Sequence, residues 1–138
     1  MMDTQVISGS GTAASGTLTE ILTHTLHGKH PWVSLKIKNT DAAAAFADCK
    51  LLVNHDSDLA AGDWVPRLSG SDWSDASALT DGERSGADDQ GNGNYANDLD
   101  PGEFCEVQLF LGAAYAFRIQ VSGSGATATV EIKGFAAG

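Results

Sequence analysis

Apolar residues recur at every second position over several short stretches of this chain, the pattern of strands with one buried face. The clearest examples lie near the C-terminus. Residues 103–111 place Cys105, Val107 and Leu109 on one side, residues 115–121 do the same with Tyr115, Phe117, Ile119 and Val121, and residues 126–133 with Ala128, Val130 and Ile132. Nearer the N-terminus, residues 32–39 alternate Val33, Leu35 and Ile37 with Ser34, Lys36 and Lys38. Residues 17–26 align Leu18, Leu22 and Leu26 opposite threonines, and residues 46–53 are read as carrying Ala47, Cys49, Leu51 and Val53 inward. Residues 4–8 form a first strand, followed by a Gly/Ser/Ala turn over 9–16. Pro66 marks residues 63–68 as an edge or bulged strand, because proline cannot donate to a ladder.

Seven or eight short strands joined by turns, with no convincing helix, predict an all-β antiparallel β-sandwich, jelly-roll or immunoglobulin-like in outline, with a barrel as the competitor. One interval breaks the pattern. Residues 69–103 hold nine of the eighteen carboxylates against a single base, Arg84, and are rich in glycine. Few β-branched residues occur there, so this acidic insert reads as irregular, with at most a helical turn over 72–79. The expected organisation is one domain over 1–138, with an N-terminal arm over 1–16 and the insert over 69–103. A chain of 138 residues suffices for a substantial core.

Composition then excludes partners. A net charge of −10 with eight scattered bases does not suit phosphate backbones or anionic membrane surfaces. No apolar run approaches the ~18 residues of a membrane-spanning helix, and the first residues lack a secretion signal, so synthesis in the cytoplasm is expected. Cys49 and Cys105 fall at apolar strand positions and read as buried thiols, with a core disulfide as the alternative.

The candidate chemistry is thin. Asp88, Asp89, Asp98 and Asp100 are the candidate calcium ligands, hard oxygen donors on a Gly-rich backbone. No Ca²⁺-binding ladder or glycine-aspartate repeat accompanies them, so a solvated acidic loop is the ordinary reading and no cofactor is expected. His24, His27 and His30 recur every third residue, a spacing that splits them between the two faces of a strand and does not form a zinc site. No Gly-x-Ser-x-Gly elbow or acid/base constellation is present, so no enzyme activity is expected. Trp73, flanked by Asp72 and Ser74, is either an exposed contact residue or a pin holding the insert on the sandwich; Trp32 is expected to be half in the core and Trp64 at an edge.

The stretch Val33-Ser34-Leu35-Lys36-Ile37-Lys38-Asn39-Thr40-Asp41, then small residues and the Phe46 strand, resembles small β-sandwich virion proteins of tailed bacteriophages. Trp64, the Pro101-Gly102-Glu103 turn, Tyr115-Ala116-Phe117-Arg118 and the final hairpin over 126–132 continue the likeness, which covers residues 31–133. The resemblance implies a structural virion component, assembled in the host cytoplasm. Its leading role is that of a capsid decoration (cement) protein, acting as a homo-oligomer, a trimer by preference, on the major capsid protein. Residues 1–16 are then the expected capsid-contacting arm, with Val6 and Ile7 as its apolar contacts. Trp73 and Tyr95 of the insert are expected to join neighbouring copies. The alternatives are a carbohydrate-binding module using Trp73, and a tail or neck subunit.

Overall fold

The computed structural model describes residues 4–70, 72–73 and 95–138. Eight strands follow in order: β1 Thr4–Ala13, β2 Thr19–Thr25, β3 Trp32–Asn39, β4 Phe46–Asn54, β5 Val65–Leu68, β6 Phe104–Phe110, β7 Ala116–Gly123 and β8 Ala128–Ala137. They form two four-stranded sheets, β1-β8-β3-β6 and β2-β7-β4-β5.

The pairing is nested. β1 lies antiparallel to β8, β2 to β7, β3 to β6 and β4 to β5, as though one long hairpin with its tip between β4 and β5 had been rolled up. Rolling brings β8 against β3 and β7 against β4, which completes the two sheets. This is the jelly-roll order, and it decides between the two sandwiches that the strand count allowed. One end of the roll carries the connections β1–β2, β3–β4, β5–β6 and β7–β8. There Ser124 N–H donates to the Ala45 carbonyl and Phe46 N–H to the Leu99 carbonyl. The other end carries β2–β3, β4–β5 and β6–β7, tied by bonds such as Leu111 N–H to the Pro31 carbonyl and Tyr115 N–H to the Asn54 carbonyl.

Period two fills the space between the sheets as it should. Val33, Leu35 and Ile37 of β3, Cys105, Val107 and Leu109 of β6, Val130 and Ile132 of β8, and Phe117, Ile119 and Val121 of β7 are all buried. Two strands depart from simple alternation, and each departure coincides with a bulge, whose extra residue reverses the parity beyond it. In β2 the register shifts between Glu20 and Leu22, so adjacent residues Ile21 and Leu22 both pack against the core. In β4 it shifts between Phe46 and Asp48; Phe46 is buried and Ala47 exposed, which corrects the expectation that Ala47 points inward.

A second correction concerns residues 9–16, read as a turn. β1 runs for ten residues and pairs with β8 from Thr4↔Ala137 to Ala13↔Ala128. Gly9 and Gly11 belong to it because they face β2: a side chain at Gly9 would begin 2.9 Å from Leu22 Cδ1, and one at Gly11 3.5 Å from Ile21 Cδ1. Missing Cβ atoms here let an edge strand close on bulky neighbours, a use of glycine that mimics a turn signal in sequence. The Pro101-Gly102 turn is as expected, with Gly102 at φ 84° and Glu103 N–H donating to the Asp100 carbonyl at 3.0 Å, the type II requirement for glycine at the third position.

Gly134, in the middle of β8, shows the tightest fit between neighbouring strands: a Cβ there would lie 2.0 Å from the Ser34 carbonyl oxygen and 3.0 Å from Leu35 Cα. Both atoms are backbone and cannot swing aside. Gly134→Ala is therefore expected to destabilise the fold by about 2–3 kcal/mol in urea unfolding, the upper range for overpacking. Gly11→Ala, which meets only ordinary contact distances, is expected to cost well under half of that.

Candidate functional site

Both ends of the acidic insert are fastened to the sandwich, and the fastening uses residues that the sequence offers as surface contacts. Trp73 is 0% exposed, and its indole N–H donates to the Cys49 carbonyl of β4 at 2.7 Å. That corrects the expectation of an exposed contact residue: Trp73 pins the insert, and no ring face remains there on which a sugar could stack. At the other end Ala96 and Leu99 are buried, and Tyr95 packs half-buried against the core. Asn39, fully buried at the end of β3, donates from its side-chain amide to the Ala44 and Leu99 carbonyls at 2.9 and 3.0 Å. Its side-chain oxygen accepts Asp41 N–H at 2.9 Å, so one amide joins the β3–β4 connection to the returning insert.

Of the candidate calcium ligands, Asp88 and Asp89 lie outside the described residues. Asp98 accepts the Tyr95 N–H at 2.7 Å, and Asp100 is exposed with its own N–H donating to Glu103 at 2.8 Å. Among the described residues no group of three His, Cys, Asp or Glu side chains could hold a metal ion. Of the three histidines only His24 lies on a strand, and His27 and His30 belong to the β2–β3 connection. His24 meets Gln5 at 3.0 Å through Nε2 and His27 stands edge-on to Tyr115. Cys49 and Cys105 are buried and are not joined in a disulfide, and burial raises the Cys49 thiol well above its ordinary range, with Cys105 and Asp48 adding to the shift. Such a thiol is a core residue, not a nucleophile.

The surface feature that does assemble is the outer face of the β1-β8-β3-β6 sheet. Ile7, expected as a contact, is 1% exposed and lies in the core, while its neighbour Val6 is 73% exposed on the opposite face; alternation along β1 separates the two. Val6 pairs with Phe135, which pairs with Ser34 and through it Gln108. In the next row Ala137 pairs with Trp32, and Trp32 with Phe110. Phe135 is 57%, Trp32 55% and Phe110 52% exposed, and the Trp32 and Phe110 rings meet edge-on at 4.9 Å. Between them a groove of about 240 Å³ is lined by Trp32, Ser34, Gln108, Phe135 and Ala137. Trp32 is thus further out than the half-core position expected of it. The strand parity that buries Val33, Leu35 and Ile37 already puts Trp32 outside, and the same holds for Phe110 and Phe135. What parity does not reveal is that three strands bring them side by side.

The outer face of the other sheet is built differently. Arg118 lies over the half-buried Trp64 ring at 4.1 Å and pairs with Glu20 at 2.8 Å, so its aromatic surface is covered by charge. Among the described residues, Val65 is the remaining large apolar side chain with high exposure.

No protein-family model matches the sequence, and no curated protein matches it at a significant level. Among solved structures, the chain is similar to the SPBc2 prophage-derived protein YomS, with a TM-score of 0.52 and 14% identity over 100% of this chain and 96% of that one. At this identity the likeness is one of fold. Among the described residues no helix is long and apolar enough to cross a membrane.

Two expectations follow from this geometry. Trp73→Ala should cost about 3–5 kcal/mol in urea unfolding, and Trp73→Phe about 1–3 kcal/mol, since the Cys49 carbonyl then loses its partner. Protonation supplies the second. Burial first, then the charges of His30 and His27, hold His24 below its ordinary 6.5, so as pH falls through that value the unfolded chain takes up the proton first and stability declines. Asp41 is held below its ordinary value chiefly by the N–H groups of Ala44 and Ala43, and its contribution, present above that value, is lost only further down, below about pH 4. Melting temperatures should therefore begin to fall below about pH 6.5, and His24→Gln should flatten that first decline without altering the second.

Proposed function

We propose that this chain is a non-enzymatic structural protein of a phage particle, and within that class a capsid decoration protein that binds the capsid exterior. The observation that carries this reading is the full-length fold similarity to a prophage-derived protein. It agrees with the independent resemblance of residues 31–133 to small virion β-sandwiches. An eight-stranded jelly roll whose stability resides in its two sheets is also suited to a cement role, in which the subunit transmits load and performs no chemistry.

The mechanism is adhesive. Each copy buries surface on neighbouring capsid subunits, and binding to the assembled lattice alone stabilises that lattice by mass action. Because residues 4–13 are held in β1, the contact is made by the surface of the folded roll rather than by a free arm over 1–16. The excess of acid over base keeps unassembled copies soluble, and assembly takes place in the host cytoplasm.

The test uses decoration-free heads of the encoding phage. The purified chain is expected to sediment with them in saturable amounts and to raise the temperature at which they release DNA. A chain left in the supernatant refutes the particle reading. A chain that sediments only with isolated tails keeps the virion role and assigns it to the tail.

A further inference from the structure

We propose that the outer face of the β1-β8-β3-β6 sheet is a docking surface for a second copy of this chain, used face to face about a two-fold axis passing near Phe135. The argument starts from what the face can match. Among the described residues, four of the five large apolar side chains with high exposure, Val6, Trp32, Phe110 and Phe135, lie on it, and the fifth, Val65, stands alone on β5. An apolar patch gains by meeting another apolar patch, and among the described residues the chain offers only this one. A contact between copies that uses the same patch on both is isologous, and isologous contacts are two-fold. A three-fold ring of the kind implied by the virion resemblance needs two different patches on each copy, so this contact forms pairs.

Charge permits the same arrangement. The face carries Lys36, Lys38 and Lys133 with Glu106 and Glu131, three of the eight bases and two of the eighteen carboxylates of a chain at −10. It is therefore nearly neutral on an otherwise acidic protein, so two copies can bring this face together with little repulsion, whereas two acidic faces brought together set acid against acid. The patch lies at the end of the sheet where β3 begins and β6 ends, whereas the insert is rooted at the opposite end through Trp73 and Leu99. With the axis near Phe135, the two insert roots point away from each other. The row Lys133, Lys36, Glu106 of each copy then faces the partner's row of Trp32 and Phe110, where lysine stems and ammonium groups meet aromatic rings. Lys36 already makes such a contact within its own chain, over Phe104 at 4.3 Å.

The area suffices. Four strands about 4.8 Å apart and seven residues at about 3.4 Å each present on the order of 500 Å² in flat projection. Side-chain relief raises the accessible value toward the roughly 600–1,000 Å² per partner of specific interfaces. Two repelling acidic bodies held by apolar burial should associate more tightly as salt rises, because screening removes repulsion and leaves the burial intact.

The experiment is sedimentation equilibrium on the full chain, from about 1 to about 200 μM, at low and high salt and with no capsid present, so its outcome is separate from that of the particle test. The expected result is a monomer–dimer equilibrium that tightens with salt. Phe135→Asp should weaken it on the order of 100-fold while leaving the melting temperature and circular dichroism unchanged. Val65→Asp, equally exposed on the other sheet, should associate like the parent chain. A monomer throughout, a dimer indifferent to Phe135→Asp, or one equally broken by Val65→Asp overturns the proposal. So does association that weakens as salt rises, which would place an oppositely charged surface in the contact.

Discussion

The nested pairing of first strand with last, second with seventh, third with sixth and fourth with fifth is the constraint on which everything else in this molecule rests. It makes β8 a shared partner of β1 and β3, so the N-terminal and C-terminal strands close one sheet together. Antiparallel ladders of this range cost loop-closure entropy before they return any burial, and the return comes only when both inner faces meet. Closure then demands local concessions. Gly134 gives up its Cβ where β8 runs against β3, and Gly9 where β1 crosses Leu22. The bulges in β2 and β4 rotate side chains so that Ile21, Leu22 and Phe46 reach the core.

The acidic insert is tolerable because of where that roll leaves it. A long connection is cheap in entropy when its ends are already close, and here both ends are locked by buried groups. Trp73 supplies apolar volume and one hydrogen bond to the β4 backbone; Leu99 and the Asn39 amide hold the return. Satisfying the amide at both carbonyls keeps this polar group from becoming a buried cost.

Much of this was legible in the residues. The alternation in β3, β6, β7 and β8, the proline at the edge strand and the Pro-Gly turn each report a local rule, because side-chain period and backbone dihedral freedom are properties of a few neighbouring residues. The errors have equally local causes. Gly9 and Gly11 looked like a turn because glycine marks both turns and close approaches. Ala47 was placed inside because a bulge is invisible until its partner strand is known. Trp73 stayed open between an exposed contact and a pin because its neighbours in sequence are polar, and its neighbours in space, Cys49 and the core, decide for the pin.

The sequence by itself determined an all-β antiparallel fold, the inner faces of β3, β6, β7 and β8, and the acidic character of the segment between β5 and β6, since these depend on composition and on a period of two. Only the tertiary structure decided the jelly-roll order, the burial of Trp73, and the meeting of Val6, Trp32, Phe110 and Phe135 on one face. Those outcomes depend on register between strands as many as 133 residues apart, as in Thr4↔Ala137. Register is fixed by the packing of the whole core and not by any window of the chain.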